Sequence, residues 1–302
     1  MVTLFWAANF IVVKSANREI PPITFALLRF GSASLILLLA LRLREGSARP
    51  PRGDAVAIMA LGALGFGVYQ VIWSTALQWI PAGDSALIIA ATPVLTAMLA
   101  VVAGSDVLTR LKLFGGLISF VGVGIVIAAG PGLGIVGGAG VSGTSDLLAL
   151  GYGLTLAAAV CWSVYTAWAA PHLQQHSPLR TTAWAMVGGS LVLLPFGLWE
   201  AGGADWAGVD LAAWGGLLYS AILPAGLANV LVFNAIRLLG PTRVTAYQFL
   251  VPFIAVVLGA IFIGEPIRTA QIAGGAVIVG GVALTRARSI DVGGWIRELL
   301  PD

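Results

Sequence analysis

Charge is scarce in this sequence: only 10% of its residues are Asp, Glu, Lys or Arg, whereas about a quarter are charged in soluble domains. Hydrophobic residues make up 59% of the chain. A chain with so little polar surface cannot cover itself in water, so we expect a lipid bilayer to be its solvent. Its 302 residues have room for about ten spans of ~20 residues.

Cysteine and histidine are scarcer still, which argues against enzyme chemistry. The one cysteine, Cys161, excludes a disulfide within the chain and a thiolate metal cluster. The two histidines, His172 and His176, lack the context of an HExxH zinc site and are interpreted as part of a solvated turn. No carboxylate lies near the middle of an apolar run. We therefore expect no catalytic residue, no metal and no other cofactor.

Apolar runs between charged or Gly/Pro-rich breaks predict an all-α membrane protein. The predicted spans are 2–16, 22–43, 54–79, 82–103, 109–130, 147–170, 178–199, 209–236, 241–263 and 267–287. The glycine-rich segment 131–146 is predicted to be a flexible linker between a first unit, 1–130, and a second unit, 147–287. Residues 288–302 form a predicted tail.

Basic residues alternate between the two sides of this arrangement. Twelve of the sixteen Lys and Arg fall in the even-numbered connections and the tail: Arg42, Arg44, Arg49, Arg52, Arg110, Lys112, Arg180, Arg237, Arg243, Arg286, Arg288 and Arg297. Positive residues mark the cytoplasmic side, so we expect a multi-pass protein with both termini cytoplasmic. The net charge of +3 is then an orientation signal, and we expect no nucleic-acid partner.

The sequence also contains an internal duplication. A shift of 159 residues places Pro93 on Pro252, Asp106 on Glu265, the pair Gly115–Gly116 on Gly274–Gly275, and Gly122 on Gly281. At a shift of 156, Trp6 matches Trp162 and Pro22 matches Pro178. Five spans per copy make the second copy begin on the opposite side of the membrane, which predicts inverted repeats.

Three segments carry a resemblance to a known family. The run FWAANFIVVKSANREIPPITFALLRF resembles the opening of ten-helix EamA-type exporters in the drug/metabolite transporter superfamily. The segments GSDVLTRLKLFGGLISFVGVGIV and GEPIRTAQIAGGAVIVGGVAL resemble the ending that this family uses twice. The first copy departs from that ending, with Ser105–Asp106 for Gly-Glu and Lys112 for Gln.

The resemblance implies a fold and a function. The expected fold is ten transmembrane helices arranged as two inverted five-helix repeats around a central cavity. Within the superfamily the chain looks most similar to bacterial inner-membrane exporters of aromatic and other neutral amino acids. Alternatives are export of a sugar, nucleotide sugar or cationic drug, an intramembrane enzyme, or a membrane protein without transport activity.

Arg29 is the one ionisable residue well inside a predicted span, about 10 Å from the nearer end at 1.5 Å per residue. Such a charge is costly unless it reaches water or a partner. It is either a structural arginine that joins the first two helices or a contact for a substrate carboxylate. Lys14, near the same surface, is predicted to be an interfacial anchor.

Polar and aromatic side chains on the helices that the resemblance places around the cavity are the candidate substrate-binding residues. They are Trp6, Asn9, Tyr69, Gln70, Trp73, Trp162, Tyr165, Asn229, Asn234, Tyr247 and Gln248. Rings and amides with few charges suit a zwitterion with an apolar side chain. For Asn9, Gln70 and Asn229, hydrogen bonding between helices is the competing interpretation.

Pro93 and Pro252 lie at matching positions inside apolar helices, where each removes a backbone hydrogen bond and permits a bend. Each is either a static kink or a hinge that closes the helix over the cavity.

Because no span carries a central acid or histidine, transport down the substrate gradient is favoured over proton coupling. The sequence thus predicts a facilitated exporter that works by alternating access.

Overall fold

The computed structural model describes residues 1–102, 109–129, 144–239 and 250–286, and every regular element in them is a helix. The helices are α1 (Val2–Ala16), α2 (Pro22–Glu45), α3 (Ala55–Gly62), α4 (Tyr69–Ala76), α5 (Ala82–Ile89), α6 (Thr92–Val102), α7 (Arg110–Ala128), α8 (Thr144–Gln175), α9 (Pro178–Ala201), α10 (Leu211–Ser220), α11 (Ala228–Leu239), α12 (Leu250–Ile263) and α13 (Thr269–Arg286). Two π-helical segments, Ala63–Val68 and Ala221–Leu227, join α3 to α4 and α10 to α11.

Seven helical stretches of the described chain are long and apolar enough to cross a membrane. They are Pro22–Glu45, Ala55–Ala76, Ala82–Leu99, Arg110–Ala128, Asp146–Ala169, Pro178–Ala201 and Leu211–Ala235. Shorter apolar helices occupy Val2–Ala16, Leu250–Ile263 and Thr269–Thr285. Leu35, Leu39 and Leu43 on α2 are 68%, 60% and 75% exposed, as expected for side chains that face lipid. The prediction of an all-helical apolar protein is confirmed.

Local signals explain why several helices begin and end where predicted. Pro22 and Pro178 occupy the first position of α2 and α9, where the missing N–H costs no hydrogen bond. Gly46 ends α2 with φ of 71°, a conformation that favours glycine. The helix α8 begins at Thr144, within the segment 131–146 that the sequence predicts to be a linker.

Several predictions fall on residues outside the described ranges. These are the acidic position Asp106, the binding candidates Tyr247 and Gln248, most of the linker and the tail 288–302. They stay predictions. So do the count of ten spans and the boundary between the two units.

Helices from residues 1–129 pack mainly against helices from residues 144–286. The larger interfaces join α7 to α13, α2 to α9, α3 and the first π-helical segment to α9, α1 to α12, α4 to α8, α6 to α8, and α5 to α12. The two parts of the chain are therefore interleaved, and the buried centre is made by both of them.

The α7–α13 contact brings two backbones together. A Cβ added at Gly281 would lie 2.5 Å from the carbonyl oxygen of Gly115, and one added at Gly122 would lie 2.7 Å from that of Gly274. Ser119, between these contacts, donates a hydrogen bond of 3.0 Å to the carbonyl oxygen of Ile278. Earlier residues of α7 meet later residues of α13, so the two helices are antiparallel.

Candidate functional site

Arg29 lies at the centre of a buried hydrogen-bond network. The helix α2 carries it inward, where it is 2% exposed. Its Nη2 donates to Gln70 Oε1 at 2.6 Å, and its Nη1 donates to Ser220 Oγ at 3.2 Å. Ser220 in turn donates to Asn9 Oδ1. The network thus joins α1, α2, α4 and α10, which come from both parts of the chain.

The partners of Arg29 are all neutral. No carboxylate contacts its guanidinium within the described part of the chain, and its Nε has no hydrogen-bond partner there. The guanidinium carbon lies 4.4 Å from the centre of the Phe30 ring and 5.9 Å from that of Phe25. A buried cation with only dipoles and ring faces around it keeps an unmet attraction for an anion.

Six rings next to this network form what we call the aromatic cluster: Phe10, Phe66, Tyr69, Trp73, Trp162 and Tyr165. Tyr69 and Trp73 stack with centroids 6.0 Å apart and planes 9° apart. Trp162 lies 5.4 Å from Tyr69 and 5.3 Å from Tyr165, centre to centre. Five of the six rings are buried, and Trp162 is half-buried.

The structure therefore gathers many of the predicted binding residues, but in a packed arrangement. Tyr69, Trp73 and Tyr165 contact other rings, and Trp73 Nε1 also donates to Ser85 Oγ at 3.0 Å. Gln70 lies beside them and binds Arg29. In this conformation the side chains expected to line a cavity fill the space between their helices, so the open cavity stays a prediction.

The two amides related by the repeat do not meet. Gln70 contacts Arg29, whereas Asn229 Nδ2 donates to the carbonyl oxygens of Pro224 and Ala225 at 3.1 and 2.8 Å. Both carbonyls lie in the second π-helical segment. The backbone hydrogen-bond pattern of a π-helix differs from that of an α-helix, so these carbonyl oxygens can accept from side chains. Trp6 Nε1 donates to the Pro224 carbonyl as well, at 3.2 Å. Asn234, by contrast, is exposed on α11.

The helix break at the first predicted hinge is present. The helix stops at Ile89 and resumes at Thr92, so that Pro93 is the second residue of α6. Thr92 donates its hydroxyl to the carbonyl oxygen of Ile89, and its own carbonyl accepts from Ser163 Oγ at 3.2 Å. Pro252 is buried near the start of α12. The residues before α12 lie outside the described ranges.

A polar network at one end of the bundle, which we call the Lys14 end, was not predicted. Lys14 Nζ lies 2.8 Å from Glu265 Oε1 and donates to the Ile80 carbonyl. Glu265 accepts from the backbone N–H of Ala82 at 2.9 Å and so caps α5. The sequence predicted that Lys14 and Glu265 lie at helix ends, but it did not predict that they form an ion pair.

Asp84 forms the second half of the network at the Lys14 end. It is fully buried and accepts from Arg268, from Gln271 Nε2 at 2.8 Å and from the Tyr152 hydroxyl at 2.5 Å. Arg268 also donates to the carbonyl oxygen of Ala129. The four side chains come from three different helices and one loop, a proximity that no local pattern in the sequence could reveal.

A matching set of contacts closes the opposite end, which we call the Arg180 end. Arg180 Nη2 lies 2.9 Å from Glu45 Oε2. Asp54 Oδ2 lies 2.9 Å from His176 Nε2 and 3.5 Å from His172 Nδ1. The hydrogen bond with His176, aided by His172, lowers the pKa of the Asp54 carboxyl below its ordinary value of 3.8 and outweighs the effect of burial. The two histidines are thus paired with an acid, and no metal-binding group of three or more His, Cys, Asp or Glu occurs among the described residues.

Comparisons with known proteins fit this architecture. The model of the EamA-like transporter family matches residues 1–128 and again 149–287. The uncharacterized transporter YyaM of Bacillus subtilis is 25% identical over 93% of this chain and 89% of its own length. A crystal structure of another protein, 20% identical, superposes with a TM-score of 0.64 over 94% of this chain and 93% of that one, and it supports the fold alone.

Two relatives have more specific descriptions. A probable terminal-alkyne amino-acid exporter of Streptantibioticus cattleyicolor is 30% identical over 96% of this chain and 92% of its own length. A probable amino-acid metabolite efflux pump of Salmonella typhimurium is 27% identical over 93% of this chain and 91% of its own length. With a family model that matches nearly the whole chain, the protein belongs to the EamA-like transporter family and is a multi-pass membrane transporter.

Proposed function

We propose that the protein exports small neutral metabolites across the bacterial inner membrane, most of all amino acids, including aromatic ones. The observation that carries this proposal is Arg29, a buried cation with no acidic partner among the described residues, beside the aromatic cluster. The descriptions of the Streptantibioticus and Salmonella relatives favour the same substrate class.

The buried charge of Arg29 favours an anionic group on the substrate. A buried charge without a counter-ion costs several kcal/mol, and a substrate carboxylate would offset that cost. Such a carboxylate would replace Gln70 and Ser220 as the partner of the two Nη atoms, in the bidentate geometry that guanidinium groups favour. Arg29 would then be a substrate contact, and its present neutral partners would hold it in place between transport cycles.

The aromatic cluster suits the remaining groups of an amino acid. The rings of the aromatic cluster offer faces for an apolar or aromatic side chain. They can also attract the ammonium group of a zwitterion. Sugar phosphates would need several inward cations, whereas Arg29 is the one arginine among the buried residues of the described chain.

Many transporters that work by alternating access are built from inverted repeats, and contacts in this chain support such a relation. Under the 159-residue shift Gly115 corresponds to Gly274 and Gly122 to Gly281, and the observed contacts exchange these partners: Gly115 with Gly281, Gly122 with Gly274. Ser119 bonds Ile278, its own counterpart. The two π-helical segments also correspond. These relations support a two-fold axis that makes corresponding helices antiparallel, with the three shorter apolar helices completing ten spans.

The two polar ends then serve as alternate gates. Contacts between the two parts of the chain hold both of them: Lys14 with Glu265 and Asp84 with Arg268 at one end, Glu45 with Arg180 at the other. The excess of Arg and Lys in the connections of the Arg180 end makes that end cytoplasmic by the positive-inside rule. Export would alternate between breaking one gate and breaking the other, with Pro93 as a hinge.

Uptake by proteoliposomes tests the proposal. Wild-type protein should move labelled tryptophan and threonine down their gradients without an imposed pH gradient, and excess unlabelled phenylalanine should compete. Movement that occurs only with a pH gradient would overturn the facilitated mechanism. If no amino acid moves while the protein is folded by circular dichroism, the substrate class is wrong.

A further inference from the structure

A pocket opens at the surface of the Arg180 end, away from the aromatic cluster. It has a volume of about 370 Å³ and lies between the loop that follows α2 and the start of α9. Three arginines and a histidine line it, Arg49, Arg52, Arg180 and His176, together with Ser47 and two prolines. None of its lining residues is acidic.

Part of this basic lining is fixed in place by neighbouring groups. Arg180 donates to Glu45 Oε2 at 2.9 Å and to the carbonyl oxygens of Arg49 and Ser47 at 2.6 and 3.2 Å. These bonds pin the loop against α9. His176 is held by Asp54, and this hydrogen bond lowers the pKa of the Asp54 carboxyl. The pocket is therefore built before any ligand arrives.

The other two arginines of the pocket are not neutralised by an acidic partner among the described residues. Arg49 and Arg52 are exposed, and neither guanidinium has an ion-pair partner in the described part of the chain. The N-terminus of α9, capped by Ser177, adds the positive end of a 24-residue helix beside them. The guanidinium groups of Arg49 and Arg52 are free to bind a ligand, and that of Arg180 is held in place beside them. Together they form a site suited to an oxyanion with several acceptor oxygens.

The size and position of the pocket indicate which class of ligand it can hold. A volume of about 370 Å³ falls within the ~300–1,000 Å³ of small-molecule sites and holds more than one inorganic phosphate. The pocket lies where the apolar helix α2 ends and the apolar helix α9 begins, and Leu43, just before it, is 75% exposed. A ligand with a phosphate in the pocket can lay hydrocarbon chains along that surface.

We propose that this pocket binds a phosphate group, and that the headgroup of an anionic phospholipid supplies it. The loop belongs to the first part of the chain and α9 to the second, so a bound headgroup links both at the gate formed by Glu45 and Arg180. Lipid binding there stabilises the closed form of this gate. The inference does not depend on which substrate the protein transports.

Detergent-purified full-length protein allows a direct test. Short-chain phosphatidylglycerol should raise Tm, and phosphatidylcholine of the same chain length should not. Arg49→Gln combined with Arg52→Gln should weaken phosphatidylglycerol binding at least tenfold, since one charge-assisted hydrogen bond is worth about 1.5–3 kcal/mol. Native mass spectrometry should count one retained phosphatidylglycerol fewer on the double variant.

The matched control is Arg44→Gln combined with Arg110→Gln, two exposed positions. It removes the same charge from the same end, but neither residue lines the pocket. It should keep the wild-type response, and both double variants should have unchanged Tm without lipid. If both double variants lost the Tm response to phosphatidylglycerol equally, net charge would explain the effect, and the proposed site would be wrong.

Inorganic phosphate separates the two sources of the ligand. If phosphate alone raises Tm as much as phosphatidylglycerol, and Arg49→Gln/Arg52→Gln removes both effects, the phosphate site stands and its ligand is soluble. If neither ligand shifts Tm, or if the double variant responds like wild type, the proposal is wrong.

Discussion

Arg29 differs from the other basic residues of the described chain in being buried among neutral partners. Lys14, Arg180 and Arg268 each face a carboxylate, whereas Arg29 faces an amide, a hydroxyl and ring faces. Because a structural arginine would gain more from an acid, this environment favours the interpretation that Arg29 binds substrate.

Arg29→Gln should lower amino-acid transport about tenfold to hundredfold, because a lost charge-pair contact costs ~1.5–3 kcal/mol. Arg29→Lys should recover only part of the activity, since an ammonium cannot form the bidentate contact. Initial uptake rates in proteoliposomes measure the effect. Arg18→Gln, at an exposed position, is the control and should transport normally. If Arg29→Gln transported amino acids at the wild-type rate with an unchanged KM, Arg29 would have a structural role and would not bind the substrate.

Asp54 gives a pH dependence whose direction is fixed by its lowered pKa. An acid with a folded-state pKa below the unfolded value stabilises the fold above the unfolded pKa, and the contribution disappears as pH falls through the folded pKa. Wild type should therefore melt at a higher temperature than Asp54→Asn at about pH 7 and about pH 5. The difference should close below the ordinary value of 3.8, toward about pH 3.

Thermal melts of both proteins across this range provide the measurement. Asp205→Asn, at an exposed position of the other end, should track wild type throughout. A wild-type advantage over Asp54→Asn that persists undiminished to about pH 3 would show that the carboxylate charge is not what stabilises the contact with His176.

Among the elements, α7 and α13 make the most extensive contact between the two parts of the chain. Ser119 is fully buried between them, and a Cβ at Gly281 would lie 2.4 Å from its hydroxyl oxygen. The two backbones are in direct contact at the glycines on either side of Ser119, so van der Waals contact and the Ser119 hydrogen bond hold the pair together.

Gly281→Ala should destabilise the protein by about 1–3 kcal/mol, because the added methyl group meets backbone that cannot move aside. Gly280→Ala is the matched control, since a Cβ at Gly280 has nothing within 4 Å. Tm in detergent should fall for the first variant and stay within experimental error for the second. Equal Tm values would mean that the two helices are less closely packed than described.

The sequence predicted most helices because apolar runs, Pro22 and Pro178 are local signals. It did not predict the π-helical segments, since one extra residue in a helix turn leaves no mark in an apolar run such as Ala221–Leu227. It identified Arg29, Gln70 and Asn9 singly. Their connection through Ser220 depends on helix packing, which no local pattern encodes.

At the scale of the whole molecule, polar contacts close both ends at once around a packed centre. Glu45 with Arg180 and Lys14 with Glu265 each join the first part of the chain to the second. If these contacts are alternate gates, transport requires that each can open in turn.

Cross-linking tests this requirement. In a Cys161→Ala background, Lys14→Cys with Glu265→Cys, or Glu45→Cys with Arg180→Cys, should each lose transport on treatment with a bifunctional thiol reagent. A cleavable reagent should restore transport after reduction, and each single-cysteine variant should be unaffected. Continued transport with either end cross-linked would contradict alternating access.

The glycine contacts between α7 and α13 have a mechanical consequence. Side chains between two helices can change rotamer and let one helix slide, but backbones in direct contact have no such freedom. The pair should therefore act as a fulcrum that stays fixed while the remaining helices tilt about it. Amide hydrogen exchange should then be slowest around Ser119 and Ile278, whichever gate is open.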